Sequence, residues 1–386
     1  MDSSFFQKPF DEETLLKLRL YRNYVDEWLP VFLTGKYSRP VHIFDFFCGP
    51  GKDIKGQPGS PVIAVQRIRK FCKERSDVIQ TTPSVTFHFS DIESDYIAEL
   101  KETLKEEECS NHCCKIYTEA GPFESMLEKS MPVLSDPSCA CLVWMDQCGI
   151  KEVTPEVVNK LAECPRTDIL FFISSSYINR FPEEDSVRKY YDLSIDELKS
   201  SEYRLIHRYI CGYFRNQLPN GLAYHLAPFS IKKSSNIYGL IFGSSSYRGL
   251  DKFLRVCWCM DRRTGEANYP VEEEPSWWAA SGEDSLFAEM NILRKYDIFK
   301  NDLADFIEYR TQSSELKRTT NHDIYEFTLE NGFLPKHASE VLKTLKKNGL
   351  VDIRDLNNGK QARGYYIRWE EYQKRPRIVI EWMTSK

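Results

Sequence analysis

The 386-residue sequence has no run of about 18 uncharged apolar residues, which leaves no candidate for a membrane-spanning helix. Its start, Met1 to Phe6, lacks the basic, apolar and small-residue order of a secretory leader, so a soluble cytoplasmic protein is expected. Internal repeats and low-complexity tracts are also missing. There is no excess of positive charge: the net value is −5, against a protein that coats nucleic acid over its whole surface, although a local basic face remains compatible with it. The nucleotide-binding pattern Gly-x-Gly-x-x-Gly is absent, because position 54 is isoleucine, and Lys52 is followed by aspartate rather than by the Ser or Thr of a phosphate loop. Dinucleotide and ATP chemistry are therefore disfavoured.

Cysteine, by contrast, is plentiful, with twelve residues. In a chain of this length without an export signal they read as reduced thiols, and Cys72, Cys211 and Cys257 fall in apolar stretches where a thiol acts as a small hydrophobe. Cys109, His112, Cys113 and Cys114 are of metal-ligand type, but adjacent residues rarely close a tetrahedral shell and no second CxxC pair answers them. A surface loop without metal is expected there. With 41% hydrophobic and 28% charged residues, the length suits one large and one small domain.

Apolar positions then give the order of elements. Leu18, Tyr21, Val25, Trp28, Leu29 and Phe32 recur at helical steps. Val41 to Phe44 is a buried-strand run ending at Asp45, and a loop rich in Gly and Pro follows. It closes on Ser60-Pro61, which reads as an N-cap followed by proline in the first helical position. Strands are expected at 85–89, 115–117, 140–145 and 169–173, alternating with helices, which implies a parallel sheet covered on both faces. Segments 224–231 and 237–242 are joined by only Lys232 to Asn236, too short for a crossover helix, so they should pair antiparallel. The fold class expected is α/β: a Rossmann-like methyltransferase sheet, mostly parallel with a terminal antiparallel hairpin, plus a small winged helix. The expected domains are 1–262 (with an N-terminal helix in 1–35), a linker over 263–300, and a winged helix-turn-helix over 301–386. In the last, helices around Ile324–Leu329 and Ala338–Leu345 precede two strands, Leu350–Arg354 and Gly364–Trp369, about the turn Asn357-Asn358-Gly359.

The chemistry concentrates at three places. Asp45-x-Phe47-x-Gly49-x-Gly51 sits at a strand-to-helix turn where glycine lets backbone approach a ligand. Asp91, ending the next strand, with Glu93 beyond it, is placed to accept ribose hydroxyls of an adenosine ligand. A sulfonium cofactor, positively charged and free of phosphate, suits Asp45. Asp45, Phe47, Cys48, Gly49, Gly51, Asp91 and Glu93 are thus the expected site for S-adenosylmethionine, set against an ordinary glycine-rich turn. Asp146 ends the fourth strand at the crevice and is the catalytic candidate, able to accept a hydrogen bond from a target amine. Cys148 is a pocket-lining residue or, less in keeping with its context, a nucleophile. Residues 333–369 carry eight Lys or Arg against three acids, and Lys336, Lys343, Lys346, Lys347, Lys360 and Arg363 are the expected nucleic-acid contacts, the alternative being a protein-docking module or a solvated surface.

Phe44 to Gly51 followed by Gly56-Gln57-Pro58-Gly59-Ser60-Pro61-Val62-Ile63-Ala64 resembles the signature of the three-Cys-motif partner proteins, which are bacterial and methyltransferase-like. The resemblance extends to the Trp28 helix, Asp146, Gly249-Leu250 and the C-terminal winged helix. It implies an iron–sulfur, radical-type partner protein that carries the three cysteines. Where the family has Asp-Pro-Phe-Gly, this chain has Asp146-Gln147-Cys148-Gly149, a change in the substrate-facing middle. Three functions follow as expectations: a methyltransferase acting on nucleic acid, a non-catalytic cofactor-binding scaffold that couples a partner enzyme to nucleic acid, or a nucleotide-binding regulator whose winged helix docks protein.

Overall fold

The structure is a computed structural model describing residues 8–34, 39–75, 85–106, 114–147, 149–200, 202–272, 295–313 and 318–383. Cys109, His112, Cys113, Cys148, Trp277 and Trp278 lie outside the described residues. The chain forms two compact units, Met1–Met260 and Asp261–Lys386.

The first unit opens with helix α1 (Glu12–Leu33), whose Asp11 carboxylate accepts from the Thr14 N–H. Then β1 (Val41–Asp45), α2 (Ser60–Glu74), β2 (Val85–Asp91), α3 (Ser94–Glu106), β3 (Cys114–Ala120), α4 (Phe123–Leu134) and β4 (Ala140–Met145) alternate. They are followed by α5 (Pro155–Ala162), β5 (Thr167–Ile173) and three short helices, α6 (Ser175–Arg180), α7 (Asp185–Arg188) and α8 (Ile195–Ser200). A single 3₁₀ turn (Tyr203–Leu205), α9 (Ile206–Asn216), β6 (His225–Lys233), β7 (Asn236–Ser244) and α10 (Tyr247–Met260) complete the unit.

The seven strands lie in the order β3-β2-β1-β4-β5-β7-β6. β1 to β5 are parallel, while β7 runs antiparallel to both β5 and β6. This is the sheet expected from the sequence. The link between β6 and β7 is a tight turn in which Ser234 takes φ +51°, so a hairpin is the only connection it allows. Strands β1, β4 and β5 are buried along nearly their whole length, with Ile43, Phe44, Leu142, Val143, Trp144, Leu170 and Phe171 fully covered. A strand covered on both faces reads as a continuous apolar run, which is what the sequence has. α1 packs beside α2 and α10. From α1, the Tyr24 hydroxyl and the Trp28 indole N–H donate to the buried Asp168 carboxylate on β5, at 2.8 and 3.0 Å. Burial pushes that carboxyl up to about 6 against these hydrogen bonds.

Two local expectations need correction. Ser60 is the first helical residue of α2 rather than its cap; Gly59 is the N-cap, and the Ser60 hydroxyl is taken by Asp45. Helix α4, with Phe123, Met126, Leu127 and Leu134 buried, was not anticipated, since Pro132 within it disguises the period.

The second unit holds α11 (Lys295–Gln312), which starts inside the stretch expected as linker because Phe299, Leu303 and Ile307 form a buried stripe at steps of four. β8 (Thr319–Thr320) leads into α12 (Asn321–Glu330), whose first turn is closed reciprocally by Thr320 and Asp323. α13 (Pro335–Lys347), β9 (Val351–Asp355), α14 (Trp369–Tyr372) and β10 (Ile378–Trp382) follow, the strands in the antiparallel order β8-β10-β9. Helix, turn, helix and strand pair make a winged helix. The return strand is Ile378–Trp382 and not Gly364–Trp369. Tyr366 takes φ +52° and its carbonyl accepts from the Asn321 amide, which bends the chain away from β9. The β-branched run Ile378-Val379-Ile380, fully or nearly buried, takes the pairing instead.

Candidate functional site

Parallel pairing brings the carboxyl ends of β1, β2 and β4 to one edge of the sheet, so Asp45, Asp91 and Asp146 converge there from positions far apart in sequence. β1 lies between β2 and β4, where the strand order reverses, and open α/β sheets bind ligands at that crevice.

The turn after β1 is built by its own hydrogen bonds. Gly49 and Gly51 take φ of +58° and +88°, a region costly for any residue with a Cβ. A Cβ on Gly51 would also lie 2.7 Å from a Leu100 methyl, so this glycine is required by packing as well as by conformation. The extended segment Lys52 to Gly59, which lengthens the spacing to Asp91, is folded back on itself: Lys52 bridges Pro58 and the Gly59 N–H donates to the Gly51 carbonyl at 2.7 Å. The Asp53 carboxylate gathers the backbone N–H groups of Phe10, Lys55 and Gln57.

Asp45 is fully buried and does not line the crevice. Its carboxylate accepts from the Ser60 hydroxyl at 2.6 Å and the Phe47 N–H at 3.2 Å. Burial raises its pKa to about 7, opposed by those two donors and assisted by the negative charges of Asp146 and Asp91. Asp91 receives the Gly49 N–H on one oxygen at 3.0 Å and the Glu93 N–H on the other at 3.1 Å, and burial raises its pKa. Asp91 also accepts from the Ile92 backbone N–H and is itself buried, with 2% of its surface exposed. Glu93 is exposed beside it. Phe47 is half-buried and stacks on Phe123 at 5.2 Å between centroids. Cys48 is buried, and burial pushes its thiol well above the ordinary value, which makes it inert filling. Ile92, 60% exposed directly after Asp91, is an apolar face at the crevice that the sequence reading passed over.

Asp146 opens on a cavity of about 530 Å³ between the ends of β4 and β5, the β6–β7 hairpin and the start of α1. Phe172, Tyr177 and Tyr238 supply aromatic walls. The Lys17 ammonium reaches in from α1 to contact the Asp146 carboxylate at 2.5 Å and lies 4.5 Å from the centre of the Phe172 ring. Sequence reasoning missed Lys17, which occupies the buried face of an amphipathic helix where a lysine is out of place. Gln147 stands where the resembled family has a substrate-facing residue that this chain does not keep. Its side chain is almost wholly buried: the amide donates to the Phe172 carbonyl and the oxygen accepts from the Glu152 and Val153 N–H groups. It fixes the loop after β4 rather than presenting a hydrogen bond to a ligand.

On the second unit, Ala338, Val341, Leu342 and Leu345 bury one face of α13 while Lys336, Lys343 and Lys347 stand exposed and Lys346 is half-buried. Lys360 and Arg363 are exposed on the turn after β9. None of the six enters an ion pair among the described residues, whereas Arg354 and Arg368 are matched by Asp352 and Glu371.

A family model described as a GMT-like wHTH domain matches residues 278–358. No curated protein matches the chain. Among solved structures, a SAM-dependent methyltransferase from Agrobacterium tumefaciens is similar at 9% identity, covering 61% of this chain and 62% of that one, with a TM-score of 0.33. A magnesium protoporphyrin IX methyltransferase from Synechocystis PCC 6803 with bound SAH is similar at 10% identity, covering 62% and 90%, with a TM-score of 0.32. At such scores the fold assignment rests on the strand order and pairing. The chain is a methyltransferase-like α/β unit joined to a winged helix.

Proposed function

We propose that this protein binds S-adenosylmethionine at the crevice above β1 and β2 and transfers its methyl group to nucleic acid held by the winged helix. The observation that carries the reading is the convergence of Gly49, Asp91 and Asp146 at the reversal point of a 3-2-1-4-5-7-6 sheet, with Asp146 opening on a cavity. In this reading Asp91 takes the ribose diol of the cofactor, Gly49 and Gly51 shape the turn beneath it, and the negative charge potential of Asp45 lies below the sulfonium. The cofactor supplies an electrophilic methyl; the chain supplies position and a dry wall, since methyl transfer by in-line displacement gains mainly from orientation. Lys336, Lys343, Lys346, Lys347, Lys360 and Arg363 are the phosphate contacts. The resemblance to three-Cys-motif partners adds an iron–sulfur partner protein to the reading.

The ion pair between Lys17 and Asp146 favours a second reading, a scaffold that binds cofactor and couples a partner to nucleic acid without transferring a methyl itself. Calorimetry with S-adenosylmethionine and transfer of a labelled methyl to total RNA, DNA and protein separate the two. Binding that is lost in Asp91→Ala, together with label in nucleic acid, supports the enzyme. Binding without transfer supports the scaffold, and unchanged affinity in Asp91→Ala overturns the site.

A further inference from the structure

We propose that the group accepted in the Asp146 cavity is a hydroxyl and not an amine, and that Lys17 is the residue selecting it. The inference rests on the methyltransferase reading and concerns the atom that receives the methyl.

The reasoning begins with charge. An amine attacking a sulfonium gains positive charge as the new bond forms, so its site should offer carboxylate and no cation. Here the Lys17 ammonium lies 2.5 Å from Asp146 and is held against the Phe172 face, with only a tenth of its side chain exposed. A fixed, poorly hydrated cation at that point opposes a developing ammonium. It favours an oxygen whose negative charge grows as its proton leaves. The same pair provides both parts that hydroxyl transfer requires. The hydroxyl oxygen forms a bond to the methyl carbon while the carbon–sulfur bond breaks and its electron pair stays on sulfur. The hydroxyl proton passes to the Asp146 carboxylate, and the Lys17 ammonium stabilises the oxygen as it loses that proton.

The rest of the cavity agrees. Its other cations, Lys233 and Lys151, line it together with the acids Asp11 and Glu13, and Lys233 is paired with Asp11. Gln147, the other polar side chain next to Asp146, is committed to backbone groups and cannot receive an amine hydrogen. Within a nucleic-acid strand the hydroxyl available along the chain is the 2′-hydroxyl of ribose, so the inference points to RNA.

The test uses the whole protein and 4-nitrophenol, whose absorbance distinguishes phenol from phenolate. The wild type should bind the phenolate preferentially and lower the pKa of the bound probe by about one unit, the shift an opposite charge at close range produces. Lys17→Met should abolish that preference, and Asp146→Asn, which removes the competing anion while keeping the shape, should strengthen it. Binding of neutral phenol by the wild type, no binding, or the same preference in all three proteins overturns the proposal. In parallel, an RNA oligonucleotide and the DNA of the same sequence are incubated with labelled S-adenosylmethionine and digested to nucleosides. Label on ribose supports the inference, while label on a base amine, or none on either strand despite cofactor binding, overturns it. If the cofactor itself does not bind in calorimetry, the methyltransferase reading fails, and the probe titration still decides what Lys17 selects.

Discussion

Replacing Asp45 by Asn should make the protein more stable at neutral pH, and by an amount that grows with pH. The carboxyl is fully buried and its pKa is raised from an ordinary 3.8 to about 7. Desolvation is the main cause, and the two donors, Ser60 and Phe47, offset only part of it. The unfolded chain loses this proton near 3.8 whereas the folded chain keeps it until about 7, so between those values the folded state binds one proton more. Stability then falls as pH rises through the window, by about 1.4 kcal/mol per pH unit, and levels off above the folded value. From pH 5 to pH 8 the loss attributable to Asp45 comes to about 3 kcal/mol. Asparagine keeps the shape, can accept from the Phe47 N–H with its amide oxygen while its NH2 donates to a turned Ser60 hydroxyl, and has no proton to lose. Asp168, raised to about 6, acts in the same direction in both proteins and cancels from the difference. Urea unfolding followed by tryptophan fluorescence at pH 5, 6, 7 and 8 measures the gap directly. The variant should gain on the wild type across the series; curves that stay parallel within about 0.5 kcal/mol would refute the assignment of a raised pKa to Asp45. A linked result should appear in binding. If the cofactor binds as proposed, a sulfonium above Asp45 draws its proton off, so calorimetry of S-adenosylmethionine below pH 7 in buffers of different ionisation enthalpy should show proton release that Asp45→Asn lacks.

Other outcomes follow from the same geometry. Gly51→Ala should destabilise the first unit by about 1 to 3 kcal/mol, because φ +88° and the approach to Leu100 both resist a Cβ; an unchanged melting temperature would contradict that strain. Replacing Lys343, Lys360 and Arg363 together should weaken nucleic-acid binding and reduce the slope of log K against log salt by about 3, roughly one for each phosphate contact removed. An equal slope in fluorescence anisotropy would show that this face carries no phosphate. Substituting Arg354, already paired with Asp352, should change that slope far less.

The order of strands and helices was legible because burial on both faces of a parallel sheet forces continuous apolar runs, as at Val41–Phe44 and Ala140–Met145. The hairpin of β6 and β7 followed from a link too short to hold a helix. Asp45, Asp91 and Asp146 could be named from their places at strand ends, since strand ends in such a sheet share one edge. What could not be read were the partners of these groups. Nothing local distinguishes Ser60 as a cap from Ser60 as a donor to Asp45, and the choice depends on where β1 ends relative to α2. Gln147 was legible only as a departure from the resembled family, and its partners, the backbone N–H groups of residues 152 and 153, are set by the return of the loop. Lys17 is about 130 residues from Asp146, and only the packing of α1 against the sheet makes them neighbours. In the winged helix, the exposed face of α13 was implicit in the spacing of its apolar residues, but which of eight cations are neutralised depends on acids brought close by folding. The sequence by itself determined the strands of the large sheet, their order along the chain and the acids at the sheet edge, because these follow from local periodicity and chain connectivity. Tertiary structure alone decided the burial of Asp45, the pairing of Lys17 with Asp146 and the return strand at Ile378, because each depends on contacts between segments that no local pattern encodes.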